Sequence, residues 1–235
     1  MNDKFIRGQL PEIPIVLYDN KYIGTLGSWM ISLRDGNPAL QIPSGGNYGL
    51  NRFDWYLATS DTTPWSRIPF GPHPYNVIGM NLEDGTLYPQ DKPEFIALFD
   101  FERKAHFPER KIQLDACLET NTRYAFLEGT YTTEQIRSIY RQCSLFFVAH
   151  NESFGWPIGE VQACGAYVAS PDLQWCRGYW NKTDSAIEGH GQLSENYIIY
   201  DNDKEKLKKA IVQIKANYNP YQVLKEYVQF QPELY

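Results

Sequence analysis

From about Lys92 onward, short apolar runs alternate with stretches whose apolar positions recur at helical spacing. Phe95-Ile-Ala-Leu-Phe99 is a continuous apolar run, the signature of a strand buried on both faces. A helix is predicted from about Pro108 to Leu118, with Pro108 suited to its first turn. Tyr124-Ala-Phe-Leu127 predicts the next strand. Thr132-Thr-Glu-Gln135 then reads as a capping box, and Ile136, Ile139, Tyr140 and Cys143 follow it at helical spacing. Leu145 to Ala149 predicts a third strand and Pro157 to Cys164 a helix that ends at Gly165. Tyr167-Val-Ala169 and Tyr197-Ile-Ile-Tyr200 predict the fourth and fifth strands. Leu207, Ala210, Ile211 and Ile214 mark an amphipathic helix, and Tyr221 to Phe230 another. Such an alternation implies an α/β fold, a parallel sheet with right-handed crossovers.

The chain before residue 92 follows a different pattern. Ile13 to Tyr18 and Trp55 to Ala58 predict strands, separated by turn-rich segments such as Arg34-Asp-Gly-Asn-Pro38 and Ser44-Gly-Gly-Asn-Tyr-Gly49. Asp61 to Pro93 is rich in proline and poor in periodic apolar positions, and reads as a connector. The expected division is therefore residues 1–91, a short N-terminal region with its connector, and residues 92–235, an α/β domain.

Composition narrows the classes. A chain of 235 residues can bury a substantial core, and a net charge of -6 argues against a dominant nucleic-acid or anionic-membrane surface, though not against a local basic pocket. No apolar run approaches the ~20 residues that cross a bilayer. The start, Met-Asn-Asp-Lys-Phe-Ile-Arg, lacks the apolar core of a secretion signal, so a cytoplasmic location is expected. Cys117, Cys143, Cys164 and Cys176 form no Cys-x-x-Cys pair, which favours buried thiols over a zinc site or disulfide framework. The many aromatic residues before residue 92 read as cover for a core poor in regular structure.

The chemistry concentrates in Ser144-Leu-Phe-Phe-Val-Ala-His-Asn-Glu-Ser-Phe-Gly-Trp-Pro-Ile-Gly-Glu160, an apolar run, a polar loop and a helix start. Glu152 and Glu160 bracket the loop with seven residues between them. The Phe154-Gly155 turn falls at the carboxyl end of the predicted strand, where open α/β sheets bind their ligands. With Phe-Gly behind its first glutamate, this segment resembles the signature of the C-terminal, donor-binding lobe of GT-B glycosyltransferases, specifically the retaining family 4. The resemblance spans residues 94 to 216. It is carried further by Val161-Gln-Ala-Cys-Gly-Ala-Tyr-Val-Ala-Ser170, by Gly129-x-Tyr-x-x-Glu-Gln-Ile-x-x-Ile-Tyr140 and by Ile198-Ile-Tyr-Asp-Asn-Asp-x-Glu-Lys-Leu207. Two departures stand out. Phe99-Asp-Phe-Glu-Arg103 supplies the arginine of the family's Gly-Arg strand end without the glycine, and Arg110-Lys111 stands near its expected lysine. Residues 1–91 are also short for the family's N-terminal lobe, so a reduced or truncated acceptor-side region is expected.

The resemblance implies a Rossmann-like GT-B lobe and a hexosyltransferase-like enzyme. It would move a sugar, with retention, from a nucleotide-sugar donor to a glycan, lipid-linked or protein acceptor, with no cofactor and no metal required. Glu152 would be catalytic, its carboxylate suited to sugar hydroxyls and a developing oxocarbenium ion. Glu160 would take the ribose hydroxyls. Arg103 and Lys111, with Arg110 and Lys104 as alternatives to the lysine, would hold the pyrophosphate. Backbone N–H groups around Phe154 and Gly155 and the helix start near Pro157 would add dipoles. Tyr131 would lie near the base, and His150 and Ser153 would complete the donor contacts. Read without the resemblance, the basic pairs are equally a solvated charge run, His150 a structural histidine, and Trp156 a packing residue. Two other readings stay open: a non-catalytic nucleotide-sugar-binding lobe or subunit needing a partner lobe, and a GT-B nucleotide-sugar epimerase. No nucleic-acid partner is expected, and contact with a membrane surface or partner subunit is left open.

Overall fold

The computed structural model describes residues 16–19, 55–58, 75–77, 79, 82, 85–152, 155–180, 192–232 and 234–235. Near the N-terminus, β1 (Val16–Asp19), β2 (Trp55–Ala58) and β3 (Tyr75–Val77) form a parallel sheet in that order. Of the strand expected at 13–18, residues 16–18 lie in β1 and 13–15 lie outside the described residues; the strand expected at 55–58 is β2. β3 was not expected: it lies in the proline-rich stretch read as a connector, and three residues leave no periodic signature. The turn-rich segments around Arg34 and Ser44 lie outside the described residues.

The second sheet is the predicted one. β4 (Ile96–Phe99), α1 (Phe107–Glu119), β5 (Arg123–Phe126), α2 (Thr133–Gln142), β6 (Leu145–Phe147), α3 (Trp156–Ala163), β7 (Tyr167–Ser170), β8 (Tyr197–Ile199), α4 (Lys204–Ala216) and α5 (Pro220–Phe230) follow in chain order. The five strands lie in the order β5-β4-β6-β7-β8, every pair parallel. Both faces are covered, and side chains alternate between them as strand geometry demands. Leu98, Phe146 and Val168 join one core with Tyr140 of α2, Ile158 and Val161 of α3 and Tyr227 of α5. Ala97, Phe99, Leu145, Phe147 and Ala169 join the other with Ala116 and Cys117 of α1 and Leu207 and Ile211 of α4. A strand buried on both sides cannot afford polar interruptions, which is why these runs are continuous in the sequence.

Local chemistry fixes the helix starts. Thr132 accepts from the N–H of Gln135 (3.2 Å) and the Gln135 side chain accepts from the N–H of Thr132 (2.8 Å), completing the expected capping box of α2. Asp203 caps α4 by accepting from the N–H groups of Glu205 and Lys206, and Asn219 caps α5 by accepting from those of Tyr221 and Gln222. All four cysteines are free and buried, and burial pushes each thiol up to about 12. Among the described residues no helix is long and apolar enough to cross a membrane.

At the amino ends of the strands, Lys92 ties several elements together. Its Nζ donates to the carbonyl of Cys143, to that of Cys164 (3.0 Å) and to the hydroxyl of Tyr218 (2.6 Å). Burial lowers its pKa from 10.5 to about 8. Between those values the unfolded chain binds more protons than the folded one, so this group makes the protein more stable as pH rises through the window. Urea unfolding at stepped pH should show the parent gaining up to about 3 kcal/mol over Lys92→Met across it. A pH-independent difference would mean that the ammonium is solvated.

Candidate functional site

The sheet's topology chooses the site. From β4 the chain crosses to β5 on one side, then returns through α2 to pair β6 with the opposite edge of β4. The order reverses between β4 and β6, and the N–H of Asp100 donates to the carbonyl of Phe147 (3.3 Å) at that junction. Loops leaving such a reversal diverge, and the crevice outside the carboxyl ends is where open α/β sheets hold ligands. Asp100 leaves β4 there, and His150 and Glu152 lie on the loop that follows β6.

Glu152 is fixed from the far side. Its N–H donates to the carbonyl of Trp175 (3.2 Å) and it forms an isolated parallel bridge with Cys176, which straps the loop to the segment after β7. His150 Nε2 lies 2.9 Å from Glu152 Oε1. Asp100 is only 8% exposed, and its Oδ1 accepts the N–H of Phe101 at 2.8 Å. Burial raises the Asp100 carboxyl. The Phe101 hydrogen bond pulls it back, the charge of Glu152 adds to the rise, and His150 and Arg103 oppose it. Asp100, His150 and Glu152 each present one ligand atom within 4.8 Å of the others, an arrangement able to hold a cation or a set of hydroxyls. His150 Nδ1 is buried with no hydrogen-bond partner among the described residues.

Gly155 makes room for this arrangement. A Cβ there would lie 2.9 Å from Ile158 Cδ1 and 3.0 Å from Glu152 Cγ, so it would press on both Ile158 and the stem of Glu152. The Gly155 carbonyl accepts from the N–H of Ile158 (2.9 Å), opening α3, and from the Tyr179 hydroxyl (3.0 Å). On α3, Glu160 Oε1 lies 3.6 Å from Arg137 Nε of α2. The Tyr140 hydroxyl is pushed up by burial first, and then by the charges of Glu160 and Asp100, so both carboxylates bear on one buried group.

The remaining expected residues are placed unequally. Arg103 is exposed and lines a crevice with His106, Arg110, Val148 and Ala149 at the end of β6. Within that crevice Arg110 Nη1 donates to the carbonyl of Asp100 (2.9 Å) and its guanidinium covers the Phe126 ring at 4.7 Å. Lys111 is 74% exposed on α1 and paired with Asp115 at 2.6 Å, one helical turn on. Lys104 sits in the short 3-10 turn Lys104–His106. Tyr131 accepts the N–H of Glu128 (3.2 Å) with its hydroxyl and packs against Phe101 beside the end of β4, ring centroids 6.1 Å apart. His106 meets Trp175 edge to face at 4.7 Å, and Trp156 is 38% exposed at the start of α3. Ser153 and Phe154 lie outside the described residues. Asp100 was not expected as a site residue, although its signal was available: like Glu152, it is a carboxylate just past an apolar strand run. Trp175 and Arg137 carried no such signal.

No protein-family model and no curated protein matches the sequence. Among solved structures, Anabaena HepE in complex with UDP and glucose aligns over 97% of this chain and 70% of its own, with a TM-score of 0.52 at 14% identity. UDP-GlcNAc 2-epimerase from Neisseria meningitidis, bound to UDP-GlcNAc, aligns over 95% and 73%, with a TM-score of 0.47 at 9% identity. The likeness to HepE is one of fold: the chain has a GT-B-like α/β architecture with a Rossmann-like parallel sheet.

Proposed function

We propose that the protein is a glycosyltransferase of the GT-B type that takes its sugar from a nucleoside diphosphate donor and transfers it with retention. One observation carries the reading: Glu152 stands at the carboxyl edge of β6, at the reversal of strand order, with Glu160 on the helix behind it. The fold it shares with HepE, whose structure holds UDP and glucose, supports the choice of ligand. In this reading Glu152 faces the sugar and Glu160 the ribose. Arg103, at the crevice, faces the pyrophosphate and stabilises the departing diphosphate. Arg110 donates to the backbone carbonyl of Asp100 and Lys111 pairs with Asp115, and Arg103, which lines the crevice at the end of β6, is the cation assigned here to the phosphates.

UDP is the first probe. A ligand that binds only the native state raises the melting temperature, and UDP is expected to do so in a thermal-shift titration. Arg103→Ala should weaken UDP binding roughly 10- to 100-fold, the usual effect of losing one charge-assisted contact. Unchanged affinity would make Arg103 a surface residue and take the diphosphate away from this crevice.

A further inference from the structure

Three groups at the strand-order reversal have hydrogen-bonding capacity left over. Glu152 has Oε1 2.9 Å from His150 Nε2, and among the described residues nothing donates to Oε2. Asp100, 8% exposed, spends Oδ1 on Phe101, and among the described residues nothing donates to its other oxygen. His150 spends Nε2 on Glu152 and buries Nδ1 with no partner among the described residues. Of the three, His150 Nδ1 is a buried polar atom left unpaired, which calls for an explanation, and a missing ligand is one. The inventory selects its chemistry. Two of the three unfilled groups are carboxylate oxygens, which repel an anion, so the phosphates do not belong here. A cation would compete with the bond already formed between His150 and Glu152. A neutral polyol needs no such exchange, because its hydroxyls donate to the carboxylates and either donate to or accept from the imidazole.

We propose that Asp100 and His150, together with Glu152, form the hydroxyl-binding wall of the donor-sugar subsite, and that Asp100 decides which sugar is accepted. The inference rests on the nucleotide-sugar reading and adds to it a residue whose role is specificity. A group built to bind a hydroxyl discriminates strongly against a sugar lacking it, since the protein group is then left buried and unpaired. Asp100 suits that role because the residue is only 8% exposed and its carboxylate is anchored by Phe101.

Calorimetry on the full chain tests this with UDP, UDP-glucose, UDP-galactose, UDP-GlcNAc and monodeoxy analogues of whichever of the three is preferred. The parent should bind at least one nucleotide sugar about 10-fold or more tightly than UDP, and removing one particular hydroxyl should abolish that preference. Asp100→Asn keeps an acceptor for Phe101 and should lower the preference about 10-fold while UDP itself binds as before, which also reports that the variant is folded. If UDP binds and the sugars add nothing, or the monodeoxy analogues all bind alike, the subsite proposal fails by itself. It fails equally if Asp100→Asn keeps the parental preference. If UDP does not bind, the nucleotide-sugar reading falls and this proposal with it. EDTA should leave the preference unchanged. A preference lost in EDTA and restored by Mg2+ would assign the three groups to a cation instead.

Discussion

Glu152→Gln should bind UDP within about 10-fold of the parent and lose sugar transfer by about 100-fold or more, the scale seen when a group stabilising transition-state charge is removed. Glutamine has nearly the same shape, so it fits beside Gly155, where an added Cβ would lie 3.0 Å from Glu152 Cγ. Its side-chain oxygen can still face His150 Nε2, now 2.9 Å from Oε1. The strap to Trp175 and Cys176 is made by backbone and survives. Negative charge is the property lost. Charge on the protein helps little while the donor is intact, and most when the bond to the leaving diphosphate stretches and the sugar becomes cationic. The loss should therefore appear in kcat more than in KM. Initial rates with a radiolabelled donor and an acceptor panel, alongside UDP titrations, measure both. Transfer at the parental rate would end the proposed role of Glu152. A parent that binds donor and consumes none of it would be a donor-binding lobe rather than a transferase, and donor converted without any acceptor would point to an epimerase.

What could be read from sequence follows the range of the interactions. The capping box of α2 is a contact between Thr132 and Gln135 and depends on nothing farther away. β4 and β6 were visible because both their faces are buried and polar residues are excluded from them. Their ends were not. Val148 continues the apolar run beyond β6 and still donates to Ala169 (3.1 Å), and Leu127 does the same beyond β5 toward Phe99 (2.9 Å), so hydrophobicity outlasts the regular ladder. Lys111 was within reach of sequence: Asp115 stands four residues later on a predicted helix, the spacing of a surface ion pair.

The candidate site was legible as two glutamates at a strand end, and its wiring was not. Arg110 looks like a phosphate ligand in sequence because its anchors, Phe126 and the carbonyl of Asp100, come from two strands that meet only in the folded sheet. The strap that fixes Glu152 comes from Trp175 and Cys176, and the hydroxyl that holds Gly155 from Tyr179, in a segment with no motif of its own. Asp100 carries the same strand-end signal as Glu152, but its place beside His150 and Glu152 is set only when β6 returns to the far side of β4.

Gly165→Ala should be among the most destabilising single changes in the α/β domain, costing about 4 kcal/mol and lowering the melting temperature by roughly 10 °C. α3 ends on a paired closure in which the N–H of Gly165 donates to the carbonyl of Gln162 (2.9 Å) and that of Ala166 to Val161 (2.9 Å). That closure needs a left-handed residue, and Gly165 has a φ of +80°. The larger cost is steric. A Cβ at 165 would lie 2.5 Å from both the Cβ and the carbonyl oxygen of Pro220 and 2.7 Å from its Cα. Pro220 opens α5, whose Tyr227 joins the core on this side of the sheet, so the collision cannot be relieved by turning a flexible side chain. Either α5 lifts or the turn into β7 shifts, and both disturb the carbonyl of Gly165 that accepts the Tyr218 hydroxyl at 2.7 Å. Gly129→Ala separates the two contributions, because its φ is +77° but nothing lies within 4 Å of the added methyl. That variant should lose only about 1 kcal/mol, the cost of the backbone conformation alone. Calorimetric melting of the two variants beside the parent measures the difference. Equal losses would mean that α5 does not press on the α3–β7 turn as closely as these distances require.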